Sequence, residues 1–180
     1  MKELTTKVII KNVRLSYLHA FEPKGINGDD PKYSASLIIP KTATATIQEI
    51  RAAIEAAAQA GTAKFGGKVP PNLKLPLRDG DIDREDDEAY KNSFFINANS
   101  NTAPGLIYKN GLPITDPTDL YSGCYAHVSV TFYAFNSNGN KGVACGLNHI
   151  MKTGDGEPLG GSGKAADVFA DLIEEDDFLN

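Results

Sequence analysis

The chain contains no tryptophan and only two cysteines, Cys124 and Cys145, in 180 residues. Two thiols cannot build a disulfide scaffold or a four-thiolate zinc site, so stability has to come from an ordinary hydrophobic core. No apolar run approaches the ~18 residues that cross a bilayer. The first ten residues, MKELTTKVII, lack the apolar stretch and small-residue cleavage site of a signal peptide. The expectation is a cytoplasmic protein with reduced cysteines and no membrane partner. His19, His127 and His149 stand at no metal-ligand spacing from one another or from the cysteines, and no Ser/His/Asp arrangement is defensible. The glycines at 154, 156, 160, 161 and 163 lack the strand, helix and Gly-Lys-Ser/Thr of a phosphate-binding loop. These absences point away from an enzyme.

What the chain has is turn-formers and strand-formers: 17 glycines, 10 prolines, eight phenylalanines and seven tyrosines. They suggest one mainly β domain, and a chain of this size can bury roughly 70% of its unfolded surface. The net charge of −5 argues against a polyanionic ligand only if it is evenly spread. It is not. Residues 165–180 hold six acids and no base, which leaves 18 bases and 17 acids on residues 1–164. A second cluster, Asp79 to Glu88, holds seven acids against Arg84 alone; without it the remaining body carries 17 bases and 10 acids. A body at +7 can hold a phosphate backbone.

Residues 7–18 alternate as a half-buried strand: Val8 and Ile10 share one parity, then Val13, Leu15 and Tyr17 share the other, with Lys7, Lys11, Arg14 and Ser16 outward. The switch at Lys11-Asn12 predicts a β-bulge. Residues 32–39 form a second strand, and between Thr42 and Gly61 the period becomes helical, with Thr46 and Glu49 at capping-box spacing. Residues 62–92 are expected to be a long loop, residues 92–100 a short strand, and Leu106 to Tyr108 a minor one. Residues 123–135 form the clearest strand: Cys124, Ala126, Val128, Val130, Phe132 and Ala134 on one face, and Tyr125, His127, Ser129, Thr131, Tyr133 and Phe135 on the other. A hairpin loop at 136–140 returns the chain through residues 141–151. Cys145 should then pair near Thr131, too far from Cys124 for a disulfide.

The outer face of that strand combines large aromatics, hydroxyls and a histidine, which suits stacking on unpaired bases; ordinary core packing beneath a helix or loop is the other reading. Candidate DNA-contacting residues are Lys11, Arg14, Lys32 and Lys91 for the backbone, and Phe95, Tyr125, His127 and Tyr133 for bases. Arg14 is favoured because a guanidinium both pairs with phosphate and stacks. The carboxylates of 79–88 could serve a metal-dependent nuclease, but a segment with so few apolar anchors reads better as a solvated charged loop. Residues 154–164 have linker composition. The acidic tail 165–180, with Glu174, Glu175, Asp176, Asp177 and Phe178, has the charge and aromatic anchor of a short partner-binding peptide.

Residues 12–17 (NVRLSY), 31–41 (PKYSASLIIPK), 122–125 (SGCY), 132–135 (FYAF), 142–148 (GVACGLN) and 156–160 (GEPLG) resemble, in order, a family of bacteriophage single-stranded-DNA-binding proteins. The resemblance implies an OB-like barrel; together with the helical period, the expected fold is a mainly β, OB-like five-stranded barrel with one inserted helix at about 44–60 and a short C-terminal acidic helix or tail. The resemblance also implies binding of single-stranded DNA with little sequence preference, a role in phage replication or recombination inside the infected host, and no cofactor. The expected organisation is a binding domain over 1–153, a linker over 154–164 and a tail over 165–180 that recruits replication or recombination proteins and competes with DNA. Self-association is compatible with this reading. The tail is similar in kind to bacterial acidic tips, but those end in Pro-Phe, whereas Phe178 is followed by Leu179-Asn180. A protein-interaction or structural phage module that does not bind DNA is the alternative.

Overall fold

In the computed structural model, which describes residues 5–25, 30–159 and Leu172, the alternating segments become strands of one closed sheet. Strand β1 (Lys7–Lys24) starts with Ile10 turned into the core and pairs antiparallel with β6 (Tyr125–Ser137). The register shifts between Ile10 and Val13, where Asn12 adopts φ 57°, a left-handed conformation that asparagine tolerates. This is the bulge expected from the parity switch, and it returns Val13 and Leu15 to the core. A second irregularity, between Ser16 and His19 in the pairing of β1 with β2 (Lys32–Pro40), was not expected. There Tyr17 adopts φ 46° and is 55% exposed instead of inward, while Ser16 is covered instead of solvated.

β2 pairs antiparallel with β4 (Ser93–Ser100), and β6 with β7 (Asn140–Gly154). A parallel contact of β4 with β7, Ala98 opposite Cys145 and Asn99 opposite Gly146, closes the ring. The order around it, β1-β2-β4-β7-β6, is that of an OB-like barrel. Two three-residue strands are added outside: β3 (Leu77–Asp79) on β4, and β5 (Gly105–Ile107) on β7.

Helix α1 (Thr44–Ala60) buries Ile47, Ile50, Ala53, Ile54 and Ala57 in the same core as Val130, Phe132 and Ala134 from the inner side of β6. It therefore packs on the barrel interior and not over the outer face of β6. It begins two residues before Thr46, with Ala43 at the N-cap and no side-chain cap, so the expected capping box does not form. Gly61 ends it, its N–H donating to the carbonyls of Ala57 and Ala58.

The segment 62–92 is more structured than its composition suggested. A 3₁₀ turn (Thr62–Phe65), β3, the short helix α2 (Gly80–Asp83) and a second 3₁₀ turn (Glu88–Tyr90) follow one another, with Phe65 and Tyr90 buried as anchors. Four of the seven acids are engaged locally. Asp79 and Asp87 accept the N–H groups of Asp81 and Ala89, Lys41 Nζ lies 2.9 Å from Asp79 and 2.8 Å from Asp81, and Arg78 pairs with Asp83 at 3.0 Å. The Asp81 hydrogen bond holds the Lys41 ammonium above its usual range, and the Asp81 carboxyl falls below its own.

The β6–β7 hairpin turns through Asn138 (φ 53°) and Gly139 (φ 88°), two left-handed residues of the kind that match strand twist. Cys145 pairs with Phe132, one position from the expected partner; both cysteines are free and buried, and burial pushes the Cys145 thiol up. After β7 the chain does not leave the body at once. Gly156 N–H donates to the Tyr121 hydroxyl, Leu159 N–H donates to the Ser122 carbonyl, and Lys152 pairs with Asp155. Gly123, at φ 117°, lets this segment approach, because a Cβ there would overlap the Glu157 carbonyl. Gly123→Ala combines that overlap with a disfavoured φ, so a loss of about 2–3 kcal/mol is expected in chemical denaturation. An unchanged midpoint would refute the tight packing.

Candidate nucleic-acid interface

The outer side of β6 carries Tyr125 and Tyr133, 40% and 44% exposed, on the strand whose alternate residues are all core. Glycines lie beside their rings. Tyr133 lies 3.7 Å from where a Gly146 Cβ would stand, Phe135 lies against Gly142, and Tyr125 lies against Gly156. Without Cβ atoms in the way, the rings lie down on backbone and keep surface for a second planar group. Between them His127 Nδ1 accepts the Asn12 N–H at 3.1 Å, which ties the β1 bulge to β6 and sets exposed Lys11 beside it. Asn148 donates to Thr131 Oγ1 at 2.9 Å.

Arg14 faces Tyr125 across the strands, its guanidinium 5.8 Å from the ring centroid. It donates through Nε to the Gly123 carbonyl (3.1 Å) and through Nη2 to the Glu157 carbonyl (2.7 Å). It therefore pins residues 155–159 to the body, leaving its other N–H donors for a ligand. The structure thus brings together Lys11, Arg14, Tyr125 and His127, with Tyr133 further along the same face. Lys32 and Lys91 are not part of this group: Lys32 pairs with Lys24 at the end of β1, and Lys91 borders a hollow lined by Asp81 and Glu85 to Glu88. Phe95 requires a correction. Its parity does point out of the barrel, but it is 0% exposed beneath Tyr90, which meets it edge-on at 5.1 Å, so it cannot stack on a base. The tail residues Glu174, Glu175, Asp176, Asp177 and Phe178 lie outside the described residues.

A second surface escaped sequence reasoning. On the outer side of β1, β2 and β4 two rows cross the strands, Ser16–Ser36–Asn97 and His19–Ser34–Asn99. Tyr90 covers the first row in part, donating its hydroxyl to Ser36 at 2.8 Å; burial raises its phenol above the usual range. Beside it a groove of about 390 Å³ stays open, bounded by Tyr17, His19, Lys24 and Arg84. Desolvation, then the nearby Lys24 charge, lowers the His19 pKa, which favours neutral imidazole. The only sequence signal was the polar alternation Asn97-Ala98-Asn99 after an apolar run.

A closed OB-like barrel with exposed aromatics on one outer face and a polar groove over its second and third barrel strands is the architecture of single-strand nucleic-acid-binding domains. The chain belongs to the phage family described as Enterobacter phage Enc34, ssDNA-binding protein, whose model matches residues 6–179. It is 34% identical to protein p50 of Acyrthosiphon pisum secondary endosymbiont phage 1, over 96% of this chain and 98% of that one. Among solved structures it is similar to the single-stranded DNA-binding protein from bacteriophage Enc34 in complex with ssDNA, with a TM-score of 0.76 at 27% identity, covering 89% of this chain and 97% of that one. The fold is also that of gp2.5, a single-stranded DNA binding protein encoded by bacteriophage T7, with a TM-score of 0.60 at 17% identity and 95% and 97% coverage.

Proposed function

We propose that the chain binds single-stranded DNA without catalysing a reaction, holding bases on the outer face of β6 and the phosphate backbone along the neighbouring cations. The observation that carries this reading is the pair Tyr125 and Tyr133, exposed on the outer face of a strand whose inner face is core and laid against glycines, with Lys11 and Arg14 at the Tyr125 end. Aromatic platforms hold any base, and a positive body supplies the salt-dependent part of the affinity. In this reading the protein serves phage DNA replication or recombination in the host cytoplasm. The binding domain runs through Leu159, since 155–159 bond to the body, and the acidic residues of 165–180 recruit partner proteins and compete with DNA for the cations.

A fluorescence-anisotropy titration on oligo-dT tests this. Binding is expected to weaken as salt rises, by roughly 0.7 log units per log unit of salt for each phosphate neutralised. Deleting residues 165–180 is expected to tighten binding, because the remaining chain changes from −5 to +1. No binding with or without the tail would sink the proposal, and self-association indifferent to DNA would favour an assembly module. Weaker binding after deletion would mean that the tail belongs to the fold.

A further inference from the structure

We infer that residues 155–159, which follow β7, are a positioning strap for the DNA site: they hold the Arg14 guanidinium in the pose that receives a phosphate. This deepens the proposed function and rests on it. By composition these residues begin a linker, yet both ends of the segment are fixed to the body. At the near end the Tyr121 hydroxyl stands 3.0 Å from Asp155 Oδ1 and accepts the Gly156 N–H at 3.2 Å, while Lys152 pairs with the Asp155 carboxylate at 2.7 Å. At the far end the Leu159 N–H donates to the Ser122 carbonyl at 2.7 Å, and the Leu159 side chain packs against the cluster of Ile38, Tyr90 and Phe95. Between the two ends the strap lies so close that a Cβ on Gly156 would stand 2.1 Å from the Gly123 carbonyl and 2.9 Å from the Tyr125 ring.

The middle of the strap meets Arg14. Its Nη2 donates to the Glu157 carbonyl at 2.7 Å, and its Nε donates to the Gly123 carbonyl at 3.1 Å. In a planar guanidinium Nε–H and the adjacent Nη2–H point the same way, so the two carbonyls fix one edge of the group. The remaining donors form the end of the fork, the edge that takes two oxygens of a phosphate. Both of these acceptors are neutral. They orient the guanidinium without cancelling its charge, as a carboxylate in the same place would. Tyr125 faces Arg14 across β1 and β6, with its ring centroid 5.8 Å from Cζ, so the oriented fork stands beside a half-exposed stacking surface. An arginine free in solvent loses rotamer freedom when it grips a phosphate; one held by the strap has given that freedom up on folding.

Releasing the strap at both ends tests this without altering Arg14 or Tyr125. Tyr121→Phe with Leu159→Ala, in the full chain, is expected to weaken binding to oligo-dT by about twofold to tenfold in anisotropy titrations, the affinity equivalent of immobilising one long side chain. The dependence on salt should keep its slope, because the guanidinium retains its charge within reach of the phosphate. Arg14→Met should lower that slope by ~0.7. In the Arg14→Met background the two strap substitutions should cost no further affinity. If the pair does not fold in a thermal melt, Tyr121→Phe alone, which keeps its ring in place, carries the test with a loss in the same direction. Full affinity after release overturns the inference. Tighter binding also overturns it, by making the strap a competitor for Arg14, and so does an equal loss with and without Arg14, which makes the strap a general support of the fold. Unchanged affinity and slope in Arg14→Met overturn it while leaving DNA binding in place. If the unmodified protein binds no oligo-dT, the proposed function fails and this inference with it.

Discussion

Replacing Tyr125 and Tyr133 together by alanine is expected to weaken single-stranded DNA binding by about 2–6 kcal/mol, on the order of 30-fold to 10⁴-fold, while leaving the fold in place. The magnitude follows from ~1–3 kcal/mol per stacked base. Stability should change little, because both rings are about half exposed and neither belongs to the buried core. Some loss is expected where the rings cover Gly146 and Gly156. Tyr→Phe at the same two positions keeps the π-surface and should keep most of the affinity, which separates stacking from hydroxyl chemistry. Anisotropy titrations paired with thermal melts measure both effects. Full affinity in the alanine pair would move the interface away from β6.

Phe95→Ala should do the opposite. With its ring enclosed by Tyr90, Arg78 and Arg84 and no surface left to solvent, truncation opens a cavity and removes the support beneath the second 3₁₀ turn. The expected loss is about 3–5 kcal/mol of unfolding free energy, a large share of the ~5–15 kcal/mol typical of a domain. Urea titration measures it. A variant with unchanged stability and lost DNA affinity would restore Phe95 as a stacking residue.

The contrast between Phe95 and Tyr133 shows where the sequence was legible. Both sit at outward parity on a barrel strand, and parity alone cannot say which outward residue is roofed by another segment. The roof over Phe95 comes from residues 84–90, which hold their place through buried Tyr90 and the Asp87 cap of their 3₁₀ turn. Anchors of that kind have no period, so composition suggested a loop. The bulge at Asn12 was readable because apolar residues change parity across it. The irregularity at Tyr17 was not, because Val13, Leu15 and Tyr17 keep a regular alternation while the backbone does not. Strands β1, β2, β6 and β7 and helix α1 stood out through continuous patterning. The polar groove did not, since Ser34, Ser36, Asn97 and Asn99 carry meaning only once β2 and β4 set them side by side.

The parallel contact between β4 and β7 has a consequence for crowding. By closing the ring it leaves the three-residue strands β3 and β5 as the two ends of the strand order among the described residues. Long unpaired strand borders are templates for sheet growth from one molecule into the next. A protein that gathers at high local density along one nucleic-acid strand meets its own copies constantly, and short borders give those encounters little to extend. Were copies of this chain to line one strand, as the proposed function allows, they would meet through borders too short to join their sheets.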